Sequence, residues 1–210
     1  MIDTVWFENE GGATLRPCDG AGLIMVEHDC PPPKPRTCFL TLDGADGALD
    51  LSGWAGETRY EARTVRIRLR DMRGGGTGAV VGFVTRQRVR IWFSEQPGWY
   101  YDGRCVQARA ATRSRVTDLD LTFVCQPYRL RGTLTVKTLP GGTETTVRVG
   151  EMAVAASVEA PQACALSVDG EGYDLPEGRS EGALVLTPGP HSIAVSGAPS
   201  VRLTWRDGEL

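Results

Sequence analysis

Gly178-Arg-Ser180-Glu-Gly182 has the spacing of a nucleophile elbow, in which a sharp strand-to-helix turn presents the serine hydroxyl to a histidine base, here His191. The residues that follow, Ala183-Leu-Val-Leu-Thr187, alternate like a strand and not like a helix, so we read the motif as a polar hairpin loop. Gly74-Gly-Gly76-Thr-Gly-Ala79 spells a dinucleotide fingerprint after a strand. No strand–helix alternation surrounds it to build the parallel sheet such a site needs, and a flexible glycine connector is the reading. His28, Cys30 and Cys38 are zinc-ligating residue types, but their spacing fits no standard ligand pattern and Pro31-Pro32-Pro33 stiffens the middle. No Walker A lysine, His-Glu-x-x-His or calcium-loop pattern is present, and nothing selects a carboxylate pair for glycoside hydrolysis. With only two histidines in the chain, these patterns imply no catalytic residue, no cofactor and no metal.

Charge is the stronger signal. The net charge is −3, yet residues 1–58 carry −7, residues 59–131 carry +9 and residues 132–210 carry −5. Of the 23 basic residues 21 are arginine, whose planar guanidinium makes bidentate contacts with carboxylates. The slightly acidic whole and the lack of a helix-turn-helix or zinc-finger pattern argue against nucleic acid as the partner. The acidic flanks are expected to lie beside the basic middle as cross-strand and surface pairs. Trp99-Tyr100-Tyr101 is the densest aromatic cluster; it suits sugar stacking or partner contact, and equally an aromatic strand packed on the core, which is the reading preferred.

These residues must be positioned by strands. In Arg63-Thr-Val-Arg-Ile-Arg-Leu-Arg70, Val65, Ile67 and Leu69 alternate with Arg66, Arg68 and Arg70, the pattern of a half-buried strand with one charged face. Arg88–Phe93 and Thr117–Phe123 repeat it, the latter pointing Asp118 and Asp120 outward toward the arginine faces. Weaker strand signals lie at 23–27, 38–42 and 48–51, with Pro31-Pro-Pro-Lys-Pro35 as an extended polyproline connector. Beyond residue 131, seven short strands are expected at 133–137, 145–149, 153–158, 164–168, 183–187, 191–196 and 200–205, punctuated by Pro140-Gly-Gly, Asp169-Gly and Pro188-Gly. That spacing predicts a β-sandwich. One helix window exists, Thr77–Arg86, with Val80, Phe83 and Val84 on one face and Thr77 as its cap.

The fold class is therefore mainly β, with at most one short helix. The 210 residues divide into an N-terminal β-barrel or sandwich-like domain, 1–130, and a C-terminal sandwich, 131–210. The six cysteines form no Cys-x-x-Cys pair, and the first ten residues have neither the basic nor the apolar region of a secretion signal, so cytoplasmic synthesis and reduced thiols are expected. No stretch approaches the roughly 20 apolar residues of a membrane helix, and no membrane partner is expected.

Asp46-Gly-Ala-Leu-Asp-Leu-Ser52, Tyr60-Glu-Ala-Arg-Thr-Val-Arg-Ile-Arg-Leu69, Val89-Arg-Ile-Trp-Phe-Ser-Glu-Gln-Pro-Gly-Trp-Tyr-Tyr-Asp-Gly-Arg104 and Leu121-Thr-Phe-Val-Cys-Gln-Pro-Tyr128 stand in an order that resembles the N-terminal domain of distal tail proteins of long-tailed, siphophage-type bacteriophages. Leu186-Thr-Pro-Gly-Pro-His-Ser-Ile-Ala-Val-Ser-Gly197 and Ser200-Val-Arg-Leu-Thr-Trp205 look like the final strands of that family's galectin-like second domain. The resemblance begins at Leu23, and the family's helix is longer than the glycine-rich window here. It implies a structural protein and not an enzyme: a hexameric ring in the virion tail, assembled in the bacterial host cytoplasm. The ring would join the tail-tube protein to the tail-tip or baseplate hub and the receptor-binding proteins. Arg66, Arg68, Arg88 and Arg90, all pointing away from the apolar side of their strands, are the candidate inter-subunit residues. A tail-tube subunit, a carbohydrate-binding module using the C-terminal sandwich and a glycosidase are the alternatives.

Overall fold

The computed structural model describes residues 4–19, 22–44, 46–52 and 58–210, and the chain divides into two units, Met1–Arg129 with Leu210, and Leu130–Glu209. The first unit contains β1 (Val5–Asn9), β2 (Thr14–Leu15), a 3-10 turn at Pro17–Asp19, β3 (Leu23–Asp29), β4 (Phe39–Thr41), β5 (Ala48–Asp50), β6 (Arg63–Asp71), α1 (Thr77–Val84), β7 (Arg88–Phe93), β8 (Trp99–Arg113) and β9 (Val116–Cys125). Its sheet runs β2-β1-β7-β8-β9-β6-β3, with β4 and β5 forming a separate hairpin. After β10 (Arg129–Arg131), the second unit contains β11 (Thr135–Pro140), β12 (Glu144–Val149), β13 (Val154–Ala160), β14 (Cys164–Val168), β15 (Glu171–Leu175), β16 (Gly178–Leu186), β17 (Gly189–Ser196), β18 (Ser200–Trp205) and β19 (Gly208–Glu209). The protein is mainly β, and no helix among the described residues is long and apolar enough to cross a membrane.

The sheet of the first unit is rolled. Phe7 on β1 and Phe123 on β9 lie three strand spacings apart, about 14 Å in a flat sheet, yet their rings are 5.7 Å apart. His28 on β3 and Phe93 on β7, four spacings apart and so about 19 Å if flat, have ring centroids 4.5 Å apart. Bulges in β8 between Cys105 and Gln107, and in β3 between Met25 and Glu27, add bend where it is needed. The inward residues Val5, Phe7, Val65, Ile67, Leu69, Ile91, Leu119, Leu121 and Phe123 form one core with Val80 and Val84 of α1. Gly103 sits opposite Cys125, where a Cβ would stand 2.5 Å from the Cys125 sulfur and collide with the Val124 carbonyl. Only glycine lets β8 approach β9 that closely.

The glycine run after β6 is no flexible connector, because the buried Asp71 carboxylate holds it. Oδ1 accepts the amides of Arg73 (3.0 Å) and Gly74 (2.7 Å), and Oδ2 accepts that of Gly76 (3.0 Å). The Gly74 amide, aided by those of Arg73, Gly76 and Thr77, holds the Asp71 carboxyl below its ordinary range against the opposing effect of desolvation. The helix that follows ends at Val84, and Thr77 is its first residue and not its cap; Gly76 takes the cap position without a side-chain hydrogen bond. Val80 and Val84 are buried as expected, with Phe83 half-buried at the edge of the same core.

The second unit is a sandwich of eight strands in two antiparallel sheets, β11-β18-β13-β16 and β12-β17-β14-β15. Inward alternation along each strand builds its core, including Val154, Ala156 and Val158 from one sheet and Leu166, Ile193 and Val195 from the other. The eighth strand is β15, joined to β14 by Asp169-Gly170 with both residues at positive φ, 51° and 92°, as a two-residue type I′ hairpin requires. Because Phe123 is fully buried and supports the roll from the middle of the sheet, Phe123→Ala is expected to destabilise the protein by about 3–5 kcal/mol. Chemical denaturation followed by tryptophan fluorescence measures this; a loss below about 1 kcal/mol would show that the roll does not depend on that ring.

Candidate functional site

The candidate interface arginines stand on the outer face of the rolled sheet, carried there by the alternation that buries Val65, Ile67 and Leu69 of β6 and Val89, Ile91 and Phe93 of β7. Each has a carboxylate partner in the same sheet. Arg66 reaches Asp29 at 3.1 Å, and Arg68 lies between Glu27 at 2.8 Å and Asp120 at 2.6 Å. Arg88 donates to Asp102 at 2.6 Å, while Arg90 donates to Glu8 at 2.7 Å. Arg70 extends the row with two bonds to Asp118, 2.7 and 3.1 Å, and this hydrogen bonding keeps the Asp118 carboxyl below its ordinary range.

The register explains the pattern. Asp29, Asp118 and Asp120 sit directly across from Arg66, Arg70 and Arg68, and Glu8 and Asp102 flank Arg90 on either side. Arg88, by contrast, faces Arg104, and like charges directly opposite are unfavourable. Arg88 turns diagonally to Asp102, and Arg104 is left exposed without an ion pair among the described residues. The arginines of these pairs are 34% exposed at Arg88 to 60% exposed at Arg66, so water screens each pair and each is individually weak. Glu8, Glu10, Arg88, Arg90, Asp102 and Gln126 line a groove of about 320 Å³, a surface of alternating charge suited to meeting another charged surface.

Sequence reasoning found Asp118 and Asp120 as partners but missed Glu8, because β1 was not recognised. The signal was present in Val5-Trp-Phe-Glu, where Val5 and Phe7 are buried and Trp6 and Glu8 face out. Also missed is an aromatic row across the same face: Trp6 stacks on Trp92 at 5.9 Å, and Trp92 packs on Tyr100 at 4.9 Å. Arg16 and Arg90 lie over its two ends, and Glu8 accepts the Trp92 indole N–H at 3.1 Å.

The other sequence candidates are placed apart from one another. Ser180 lies inside β16, not in a loop, opposite Val158 of β13. His191 has Asp169 Oδ2 2.6 Å from Nδ1 and the Thr187 carbonyl 2.7 Å from Nε2, so neither ring nitrogen is left for a serine. His28 pairs with Glu95 at 2.6 Å and stacks on Phe93, while Cys30 is half-buried and Cys38 exposed. All six cysteines are free thiols, and no cluster of three His, Cys, Asp or Glu among the described residues is arranged to hold a metal ion. In the aromatic cluster Tyr100 and Tyr101 are buried, Tyr101 donating to Gln96 at 3.1 Å, and Trp99 is half-buried beneath Arg129.

The geometry defines a two-unit antiparallel β protein. No family model matches the sequence, and no curated protein matches it. Among solved structures the whole chain matches the whole of the SPP1 Dit (gp 19.1) protein, a paradigm of the hub adsorption apparatus in phages infecting Gram-positive hosts, with a TM-score of 0.73 and 15% sequence identity. The two proteins share one fold from end to end.

Two predictions follow from the buried titratable groups. Both acceptors at His191 are satisfied only by the doubly protonated ring. Burial disfavours that form, but the Thr187 carbonyl and the Asp169 carboxylate together outweigh it and hold the pKa above its ordinary value. A raised folded pKa gives stability that is complete below the unfolded pKa, about 6.5, and lost as pH rises through the folded value. His191→Gln is expected to flatten that alkaline loss in melting profiles, and an unchanged pH profile would refute the pairing. Burial also pushes the Cys30 and Cys125 thiols up to about 12. In native thiol titration exposed Cys38 should therefore react first and these two only on unfolding; rapid reaction of all six would contradict the burial.

Proposed function

We propose that the chain is a distal tail protein of a siphophage-type bacteriophage, forming a hexameric ring in the virion tail, assembled in the host cytoplasm. The ring joins the tail tube to the tail-tip or baseplate hub and its receptor-binding proteins. The observation that carries this reading is the full-length fold shared with SPP1 Dit, a hub protein. It agrees with the ordered motifs from Asp46 to Trp205. On this reading the unit ending at Arg129 is the ring-forming domain, 1–130, and the unit beginning at Leu130 is the galectin-like domain, 131–210.

A closed ring uses heterologous contacts, in which one surface of each subunit meets a different surface of the next. The charged outer face with Arg66, Arg68, Arg88 and Arg90 suits that use, since these side chains keep part of their surface free while bound to their own carboxylates. Exposed pairs are individually weak, so charge sets register and encounter rate while apolar contact supplies affinity.

The purified protein is expected to sediment as a hexamer at low ionic strength and to shift toward monomer at high salt, with single six-fold rings in negative stain. A monomer at every concentration and salt would overturn the ring. Long stacked tubes would identify a tail-tube subunit instead. A salt-indifferent hexamer would retain the ring and remove the electrostatic account. Arg88→Asp and Arg90→Asp are expected to weaken the assembly; if they unfold the monomer instead, those arginines serve only their own sheet.

A further inference from the structure

Aspartate followed by glycine is a sequence at which a protein backbone rearranges without an enzyme. The glycine nitrogen attacks the carbon of the aspartate side-chain carboxyl, a C–N bond forms, and the carboxyl loses its hydroxyl as water, closing a succinimide ring. Water then adds to one of the two ring carbonyls. Opening on one side restores aspartate; opening on the other leaves isoaspartate, in which the main chain runs through the former side-chain methylene. One water leaves and one enters, so mass is unchanged. Glycine favours the attack because it has no Cβ to shield the nitrogen or to restrict the turn of the backbone.

The chain holds six such pairs: Asp19-Gly20, Asp43-Gly44, Asp46-Gly47, Asp102-Gly103, Asp169-Gly170 and Asp207-Gly208. Ring closure makes two demands that a fold can deny. The aspartate ψ must swing far from the value of about +135° that a strand holds, and the carboxyl must leave its hydrogen-bond partners to meet the nitrogen.

Three of the pairs are denied both freedoms. Asp102 and Gly103 lie within β8, paired with Arg90 and Val89 of β7, and Arg88 binds the Asp102 carboxylate at 2.6 Å. Asp207 accepts the Trp205 indole N–H at 2.8 Å on Oδ1 and the Thr135 hydroxyl on Oδ2, and Gly208 is buried in β19. Asp169-Gly170 shows that exposure alone does not decide the matter. Both residues are exposed, yet Oδ1 accepts the Ser192 amide at 2.8 Å, Oδ2 lies 2.6 Å from His191 Nδ1, and the hairpin fixes the backbone. Asp19 pairs with Arg16 at 3.4 Å, and Gly20 lies outside the described residues.

The remaining two pairs share the connection between β4 and β5, outside the ladder that ends at Thr41 and Ala48. Asp43, Gly44, Asp46 and Gly47 are all exposed, and among the described residues neither carboxylate accepts a hydrogen bond or makes an ion pair. Gly44 and Gly47 have φ of +83° and +86°, and a Cβ on either would meet nothing within 4 Å. Backbone and carboxyl are thus both at liberty where loop tips concentrate chemical change.

We infer that Asp43 and Asp46 are sites of spontaneous succinimide formation and isomerisation, so that the β4–β5 turn ages ahead of the pairs at 102, 169 and 207. Water is the only co-reactant. Each event adds a methylene to the main chain between Thr41 and Ala48 and transfers the carboxylate from the side chain to Cα, altering the turn that joins the two strands. The inference stands on the fold of the single chain and is independent of the ring.

Storage of the purified full-length protein at physiological temperature and neutral pH tests it. Trypsin separates 37–59, with both turn aspartates, from 91–104, with Asp102, and from the fragments holding Asp169 and Asp207. Isoaspartate, equal in mass, is resolved by chromatography, located by electron-transfer fragmentation and counted by protein isoaspartyl methyltransferase. It is expected to accumulate in 37–59 at least about tenfold faster than at 102, 169 or 207, where reaction needs local opening. In denaturant the sites should converge. Equal rates in the folded chain, or a difference that persists in denaturant, would overturn the inference. Asp43→Ser with Asp46→Ser, both exposed positions, should abolish the signal from 37–59; a signal that survives would refute the assignment to these two residues.

Discussion

The register between β6 and β9 is the constraint on which the first unit depends. At one register Val65, Ile67 and Leu69 face inward with Phe123, Leu121 and Leu119, and on the other side Arg68 and Arg70 meet Asp120 and Asp118. A slip of one residue along either strand would turn its whole apolar set toward water and its arginines or aspartates into the core. The two faces therefore enforce the same alignment by different physics: burial supplies the energy, and the charge ladder penalises alternatives. β8 and β3 pair on the outer edges of this two-strand frame, and the roll that brings Phe7 to Phe123 is built outward from it.

That division of labour accounts for what the outer arginines do and do not do. Paired within the sheet, Arg66, Arg68, Arg70, Arg88 and Arg90 fix register and keep a broad exposed sheet face from being apolar, which discourages indiscriminate edge and face association. Strands of this kind are specific about their neighbours. On the same face Arg104 makes no ion pair among the described residues.

Much of this was legible because period-two alternation is strong where one face is buried. The strands at Arg63–Asp71, Arg88–Phe93 and Ser200–Trp205 end within a residue of where the alternation does. Legibility failed where local signals were ambiguous or partners distant. Gly178–Gly182 reads as a loop by composition but continues β16, because Val158 and Glu159 of β13 supply its hydrogen bonds. The glycine run at 74–76 reads as slack until one knows that Asp71, a buried charge at the end of a strand, turns back to bind its amides. Glu8 was legible as an outward residue of a strand but its partner was not, because pairing across a sheet is set by strand order and no residue pattern shows that β1 lies beside β7.

The strand order of the second unit has a consequence for how the chain matures. β18, residues 200–205, lies between β11 and β13 in the interior of its sheet, so until it is synthesised β11 has no neighbour and the β13–β16 pair has an open edge. Most of this sandwich is made before its central strand exists. Until then Val154, Ala156, Val158, Leu184 and Leu186 lack the cover that Val201, Leu203 and Trp205 of β18 bring to the same core. Closure of the sheet is then a late event that pairs β18 with β11 residues 60–70 positions earlier and with β13 residues 43–47 positions earlier, a non-local topology that makes folding slow and cooperative.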